Sequence, residues 1–463
     1  MPALQSSESM AAKHWKVDND PPGDLLNIFG ADRFNRKGKV HSEPSILHPH
    51  LSMEDKKAIS LNCVTTTTAG DILPSHICTL ANDTAVRQSS NMAAVALPLH
   101  QLSDESSMKA ALEAQEYLQS RLTATSEAPA FRSIPIIDLT KSFSDSIADR
   151  QVVAKEINEA CTKVGFFYIT GHGIPKEVCD GVLNLAHRFF HELSQESKEA
   201  IHIKHNNYFR GYEPAAFTSV NNFSSKETKE AFNWGYESGL DPTGGDGKYV
   251  ELDGKAEEVV NLWPSEKELP GFYQGIAKYY GEVLQLSRHL FRLFALSLAL
   301  PEDYFDPLMT HPGGIARLIR YPPSANPKPL SELNEDEEIG LGAHTDYECF
   351  TLLLQDSNQG LEILSPDNRW ISAAPVEGGI VVNVADFLMR WTNGIYKSTV
   401  HRVVNRTDKE RYSIPLFFSI NYDETVETLP SCVSEENPSS FPPITAGRYV
   451  LDRLNLTIKT GKY

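Results

Sequence analysis

Three side chains able to bind a metal stand in the order His344, Asp346, His401, and an arginine and a hydroxyl, Arg411 and Ser413, follow soon after. In Gly340-Leu-Gly-Ala-His-Thr-Asp346 the imidazole and the carboxylate are two residues apart. On an extended backbone residues i and i+2 point to the same side, so both can address one ion. His401 lies 55 residues beyond Asp346, enough for several strands before the chain returns. Two imidazoles and one carboxylate on one side of a cation leave its opposite coordination positions open. Taken alone, a His-x-Asp pair with a distant histidine is also what unrelated polar residues produce by chance. Arg411 and Ser413 weigh against that reading. They too are i and i+2, with Tyr412, Ile414, Leu416 and Phe418 on the other face. A guanidinium directed into a barrel needs an anion, because a buried unpaired charge is costly, and its planar donors suit a carboxylate. The competing reading of Arg411 is a surface ion pair on an edge strand.

The elements that must position these residues change texture along the chain. Residues 1 to about 100 are rich in Ser, Thr, Asn, Asp and Pro without sustained periodicity, which predicts a largely irregular or disordered extension. Helical spacing of apolar residues predicts helices over Ser103–Leu122, Ile147–Val164, Lys176–Ala200 and Phe272–Leu300. Short strands are expected at Ile134–Leu139 and Gly165–Thr170, the latter broken by the turn Gly171-His-Gly-Ile-Pro175. There His172 reads as a polar turn residue before it reads as a ligand. After Pro301 the runs Ile315–Tyr321, Phe350–Gln355, Leu361–Leu364, Trp370–Ala373, Ile380–Val384, Ser398–Val404 and Tyr412–Ile420 are short and separated by turns, the pattern of a sandwich or jelly roll. Helices first and strands later give an α+β layout, with helices buttressing a β core.

Composition narrows the function classes. The 463 residues carry 43 basic and 61 acidic side chains, a formal charge of −18. A surface that acidic repels phosphate backbones and anionic lipid, so neither nucleic acid nor membrane is an expected partner. The six cysteines contain no Cys-x-x-Cys pair, which suits a reducing compartment. With no apolar run long enough to span a bilayer and no secretory pattern, a soluble cytoplasmic protein is expected.

Longer segments carry a family resemblance. Gly342-Ala-His-Thr-Asp-Tyr347, Asn383 to Asp386, Arg390-Trp-Thr-Asn-Gly-Ile-Tyr-Lys-Ser398 and His401-Arg-Val resemble the isopenicillin N synthase-like branch of the 2-oxoglutarate/Fe(II)-dependent dioxygenases. Ile134-Pro-Ile-Ile-Asp-Leu and Gly165-Phe-Phe-Tyr-Ile-Thr-Gly-His-Gly-Ile-Pro resemble the N-terminal region of the same branch. The resemblance spans about residues 131 to 455.

That resemblance implies a double-stranded β-helix, or jelly roll, over 301–455 and a mostly helical region over 131–300; it covers nothing before about residue 130, where composition and spacing predict an extension of one helix and irregular chain over 1–130. It implies that His344, Asp346 and His401 bind Fe(II), and that Arg411 and Ser413 hold the distal carboxylate of 2-oxoglutarate, with Tyr321 reaching the same group. Arg320 stands where plant relatives often carry an aromatic residue, which would change the charge of the neighbouring pocket. The implied reaction uses O2 and couples decarboxylation of 2-oxoglutarate to hydroxylation, desaturation or ring closure of a small organic substrate, in secondary metabolism. A monomer is slightly favoured. Tyr347, Phe350 and the segment after Phe418 are the expected pocket walls. The rival within the branch is an isopenicillin N synthase-like oxidase that needs no 2-oxoglutarate. A non-catalytic jelly-roll binder is the rival outside it, while a zinc hydrolase lacks the glutamate of a His-Glu-x-x-His motif.

Overall fold

The computed structural model describes residues 105–205, 208–217, 227–256, 260–325, 327 and 340–460; the irregular stretch expected over residues 1 to about 100 lies outside them. In chain order the first part holds α1 (Glu105–Thr123), β1 (Ile136–Asp138), α2 (Ile147–Lys163), β2 (Phe166–Thr170), α3 (Lys176–Glu192), α4 (Gln195–Ala200), β3 (Gly211–Glu213), β4 (Glu230–Gly235) and α5 (Phe272–Ser297). The second holds β5 (Gly314–Tyr321), β6 (Leu341–His344), β7 (Phe350–Gln355), β8 (Leu361–Leu364), β9 (Trp370–Ser372), β10 (Ile380–Val384), α6 (Asp386–Trp391), β11 (His401–Val403), β12 (Arg411–Phe418), β13 (Thr425–Val426), β14 (Ile444–Thr445) and α7 (Ala446–Thr460). The single helix expected over Lys176–Ala200 is two. Leu193 turns extended, and the Ser194 hydroxyl caps α4 by accepting the Ser197 N–H at 3.1 Å.

The strands form a sheet of eight in the order β1-β2-β10-β7-β12-β5-β4-β3, a sheet of four in the order β6-β11-β8-β9, and a separate pair, β13-β14. This is the α+β jelly roll with helical buttresses. Side-chain alternation gives the large sheet two distinct faces. Phe350, Leu352 and Leu354 of β7, and Tyr412, Ile414, Leu416 and Phe418 of β12, join the core formed with α2, α3 and α5. On the opposite face Phe166, Ile319, Tyr321 and Val381 meet Leu341, Leu361, Ile363 and Val403 from the small sheet. The candidate site residues line the cavity between this face and the small sheet.

Helix α5 is the main buttress. Leu290, Phe291 and Phe294 are fully buried, and the Phe291 ring packs 5.3 Å from Phe350 and 5.9 Å from Phe418. Burial of each such side chain contributes about 1.5–3 kcal/mol, so α5 fixes the outer face on which β7 and β12 rest. The outer side of the small sheet is covered separately: Leu118 of α1 clusters with Leu364 and Val400, and the Tyr117 hydroxyl donates to the Ser398 carbonyl at 3.1 Å.

The strand expected over Ser398–Val404 is regular only from His401 to Val403, flanked by backbone bonds from the Leu364 N–H to the Val400 carbonyl and from the Val404 N–H to the Gly360 carbonyl. Its beginning is tied down by side chains as well: Thr399 Oγ1 donates to the Val164 carbonyl at 2.6 Å and Ser398 Oγ to Asp386 at 2.6 Å.

Candidate functional site

The pairing of β6 with β11 sets His344 directly opposite His401, and their ring centroids are 4.2 Å apart. Asp346 lies just past the end of β6. Its Oδ1 is 3.4 Å from His344 Nε2 and 3.5 Å from His401 Nε2, and all three side chains are buried. Their candidate ligand atoms lie within 4.8 Å of one another, the one such group of three or more metal-binding side chains among the described residues.

Hydrogen bonding fixes what these atoms offer. The Nδ1–H of His344 donates to the Gly342 carbonyl at 2.7 Å, and that of His401 to the Thr399 carbonyl at 3.1 Å. Each imidazole therefore presents the Nε2 lone pair to Asp346. Asp346 Oδ2 is already taken, accepting from Thr351 Oγ1 at 2.5 Å and from Asn383 Nδ2 at 2.7 Å. What remains is two lone pairs and one carboxylate oxygen converging without a proton between them. A cation satisfies that set.

The same register argument governs the second group. Arg411 of β12 pairs with Tyr321 of β5, and Ser413 pairs with Ile319, so Arg411, Ser413 and Tyr321 share the inner face and line one cavity with His344, Asp346 and His401. Arg411 is fully buried. One of its nitrogens, Nη2, donates to Gln355 Oε1 at 3.0 Å, while Nε and Nη1 have no hydrogen-bond partner among the described residues. Its guanidinium stands 5.0 Å from the Tyr321 ring centroid. Gly360 leaves room for the stem: a Cβ there would come 2.8 Å from Arg411 Cδ. Two orphaned N–H-bearing nitrogens of a buried cation fit a carboxylate.

The chain matches the description "non-haem dioxygenase in morphine synthesis N-terminal" over residues 134–266 and the "2OG-Fe(II) oxygenase superfamily" over residues 313–420. It is 38% identical to the 2-oxoglutarate-Fe(II) type oxidoreductase hxnY of Emericella nidulans over 317 residues, which cover 67% of this chain and 86% of that one. The chain belongs to the 2OG-Fe(II) oxygenase superfamily. It is also 34% identical to the homoarginine-6-hydroxylase 2-ODD-C23 of Glycine max, across 65% of this chain and 89% of that protein. Among solved structures, a full-length Neurospora crassa protein in complex with alpha-KG and 5-formyluracil matches with a TM-score of 0.59 at 29% identity, covering 70% of this chain and 96% of that one. The protein is thus a 2OG-Fe(II)-dependent oxygenase of the isopenicillin N synthase-like branch, and its cofactors are Fe(II) and 2-oxoglutarate.

Two expectations about the pocket need correction. Phe350 points into the helix-side core and is no pocket wall. Arg320 also faces outward, ion-paired with Glu230 and Glu410, so it leaves the charge of the inner cavity unchanged. His172 has the local role expected of a turn residue: its Nδ1 accepts the Ile174 N–H at 3.2 Å and its Nε2–H donates to the Gly378 carbonyl at 3.2 Å. Sequence reasoning missed the residues behind the site, namely Thr351, Asn383 and Gln355. All three share their strands' inner faces with cavity-lining neighbours, and that parity is the available signal. No helix among the described residues is long and apolar enough to cross a membrane.

Proposed function

We propose that His344, Asp346 and His401 hold Fe(II), and that Arg411, with Ser413 and Tyr321 beside it, receives the distal carboxylate of 2-oxoglutarate. The observation that carries this reading is the pairing, in one cavity, of three converging acceptors with a buried guanidinium that keeps two donors unused. Bound there, Fe(II) and 2-oxoglutarate supply the oxidising chemistry in which O2 oxidises a substrate C–H bond while the cosubstrate leaves as succinate and CO2. The chain's own contribution is to orient and shield. Gly342 and Thr399 carbonyls fix the imidazole tautomers, Thr351 and Asn383 hold the Asp346 carboxylate, and Phe166, Leu341 and Val403 keep the cavity wall apolar. Arg411 would serve a substrate carboxylate in the cosubstrate-free oxidase equally well; the resemblance to 2-oxoglutarate-Fe(II) relatives is what favours the 2-oxoglutarate-dependent reaction.

The substrate is a small organic molecule carrying polar groups, hydroxylated, desaturated or cyclised in a secondary-metabolic step. Support for the polar groups comes from the inner face of β3, β4 and β5, where Arg317 continues the line of Tyr321 and Ile319 and bonds to Asn233 at 2.8 Å and to Glu213. The test is succinate release from 2-oxoglutarate across a panel of polar heterocycles, amino acids and apolar terpenoids. Stimulation by polar compounds, with a higher substrate KM in Arg317→Ala, is expected. Stimulation by apolar compounds alone would contradict this assignment.

A further inference from the structure

Behind the candidate iron site lies a second buried charge cluster, contributed by a helix outside both matched segments. Helix α7 sends Tyr449 and Arg453 inward, and Arg453 Nη1 contacts Asp386 Oδ2 directly, with both side chains buried. Asp386 in turn grips the metal-site loop at several points. Its Oδ2 accepts Thr345 Oγ1 at 3.1 Å, its backbone N–H donates to the Asp346 carbonyl at 3.0 Å, and its Oδ1 accepts Ser398 Oγ at 2.6 Å. Tyr449 donates to the same carboxylate at 3.4 Å. Arg453 reaches the loop itself as well: Nη2 bonds Thr345 Oγ1 at 3.4 Å, and the guanidinium lies 4.3 Å from the Tyr347 ring centroid.

Thr345 sits between His344 and Asp346, and Tyr347 follows. The hydroxyl of Thr345 is held from behind by Asp386 and Arg453, while its two neighbours direct their ligating atoms into the cavity. Ser398 precedes Thr399, whose carbonyl fixes the His401 ring. The cluster therefore touches Thr345 and the Asp346 backbone directly, and reaches His401 only through Ser398, next to the Thr399 whose carbonyl holds that ring. Paired buried charges add little net stability over apolar groups of the same volume, so the consequence of this arrangement lies in geometry.

We propose that Arg453 is a positioning residue for the iron site: from the C-terminal helix it fixes Asp386, and through Asp386 and Thr345 it fixes the angle at which His344 and Asp346 meet the metal. This rests on the assignment of His344, Asp346 and His401 as ligands. Partners that orient metal ligands typically change metal affinity 10- to 100-fold when removed.

The test uses the full chain, stripped of metal, titrated anaerobically with Fe(II) in competition with a chromophoric chelator, alongside thermal unfolding of the metal-free protein. Arg453→Met should bind Fe(II) about 10- to 100-fold more weakly, and Arg453→Lys should recover part of the loss. Because Arg453→Met strands the Asp386 charge, the double variant Asp386→Asn/Arg453→Met removes both charges and keeps the fold measurable. It should melt near the wild type yet still bind Fe(II) more weakly. Wild-type Fe(II) affinity in a folded Arg453→Met or double variant would overturn the proposal. Failure of the ligand assignment has a different signature: Asp346→Ala would then bind Fe(II) as tightly as the wild type.

Discussion

Two buried arginines stand close to the same candidate iron site, and they are built differently. Arg453 meets Asp386, Thr345 and Tyr449 and is stacked on Tyr347. Arg411 meets one neutral oxygen, that of Gln355, and leaves Nε and Nη1 without partners among the described residues. Both charges bear a desolvation cost. At Arg453 the protein offsets it internally. At Arg411 no described residue offsets it in full, which fits the proposed carboxylate ligand. A buried cation with several unused donors beside a cavity calls for an explanation such as a ligand, whereas one paired with a buried carboxylate is accounted for by the fold.

The same substitution should therefore have opposite effects at the two positions. Arg453→Met leaves Asp386 buried and uncompensated and should destabilise the metal-free protein by about 3–5 kcal/mol, read as a lower midpoint in chemical denaturation. Arg411→Met should leave the unliganded midpoint unchanged or raised. Its cost should appear in 2-oxoglutarate affinity, weakened by about 2–5 kcal/mol, measured by calorimetry with the metal-loaded protein. Equal destabilisation by both variants would erase the contrast.

Smaller effects sharpen it. Asn383→Ala removes one of the two donors that hold Asp346 Oδ2 and should weaken Fe(II) binding about 10-fold or more, with the fold retained. The outward-facing Arg320 supplies a third kind of arginine environment. Burial raises the pKa of Glu410, but hydrogen bonds from Arg320, Tyr412 and His191 outweigh this and bring it down to about 2 from an ordinary 4.5. Because the folded value is depressed, Glu410 stabilises the fold above pH 4.5 and that contribution is lost as the pH falls through about 2. Glu410→Gln should flatten the acid limb of stability and leave 2-oxoglutarate binding alone. Least affected should be Arg292→Ala, which breaks a solvent-exposed pair with Asp306 and should shift stability by less than about 1 kcal/mol.

How much of this is legible in the sequence depends on whether the signal is local. The alternation of Arg411 and Ser413 with Tyr412, Ile414, Leu416 and Phe418 separates the two faces of β12 correctly. The His-x-Asp pair and the distant histidine do meet, because β6 and β11 are neighbours. By contrast, β7 is buried on both faces, so Phe350-Thr-Leu-Leu-Leu reads as a nearly continuous apolar run. Nothing local in that run says which side Phe350 takes. Arg320 and Tyr321 pose the same problem, since parity separates them but only the packing of α3 and β4 says which faces the cavity. The Arg453–Asp386 pair joins residues 67 positions apart, and no short motif announces it. Helix α7 does carry a trace, with Tyr449, Val450, Arg453 and Leu454 at helical spacing, but such spacing announces a helix and not its partner.

The most direct test of the central claim is an anaerobic titration of 2-oxoglutarate into the Fe(II)-loaded full chain, following the weak visible charge-transfer absorption of a keto acid chelated to iron. The wild type should develop the band with saturation. Arg411→Met should need far more 2-oxoglutarate to reach it, and Asp346→Ala should not develop it at all. A wild type that binds Fe(II) without forming the band, or an Arg411→Met titration that overlays the wild type, would contradict the account of the unsatisfied arginine.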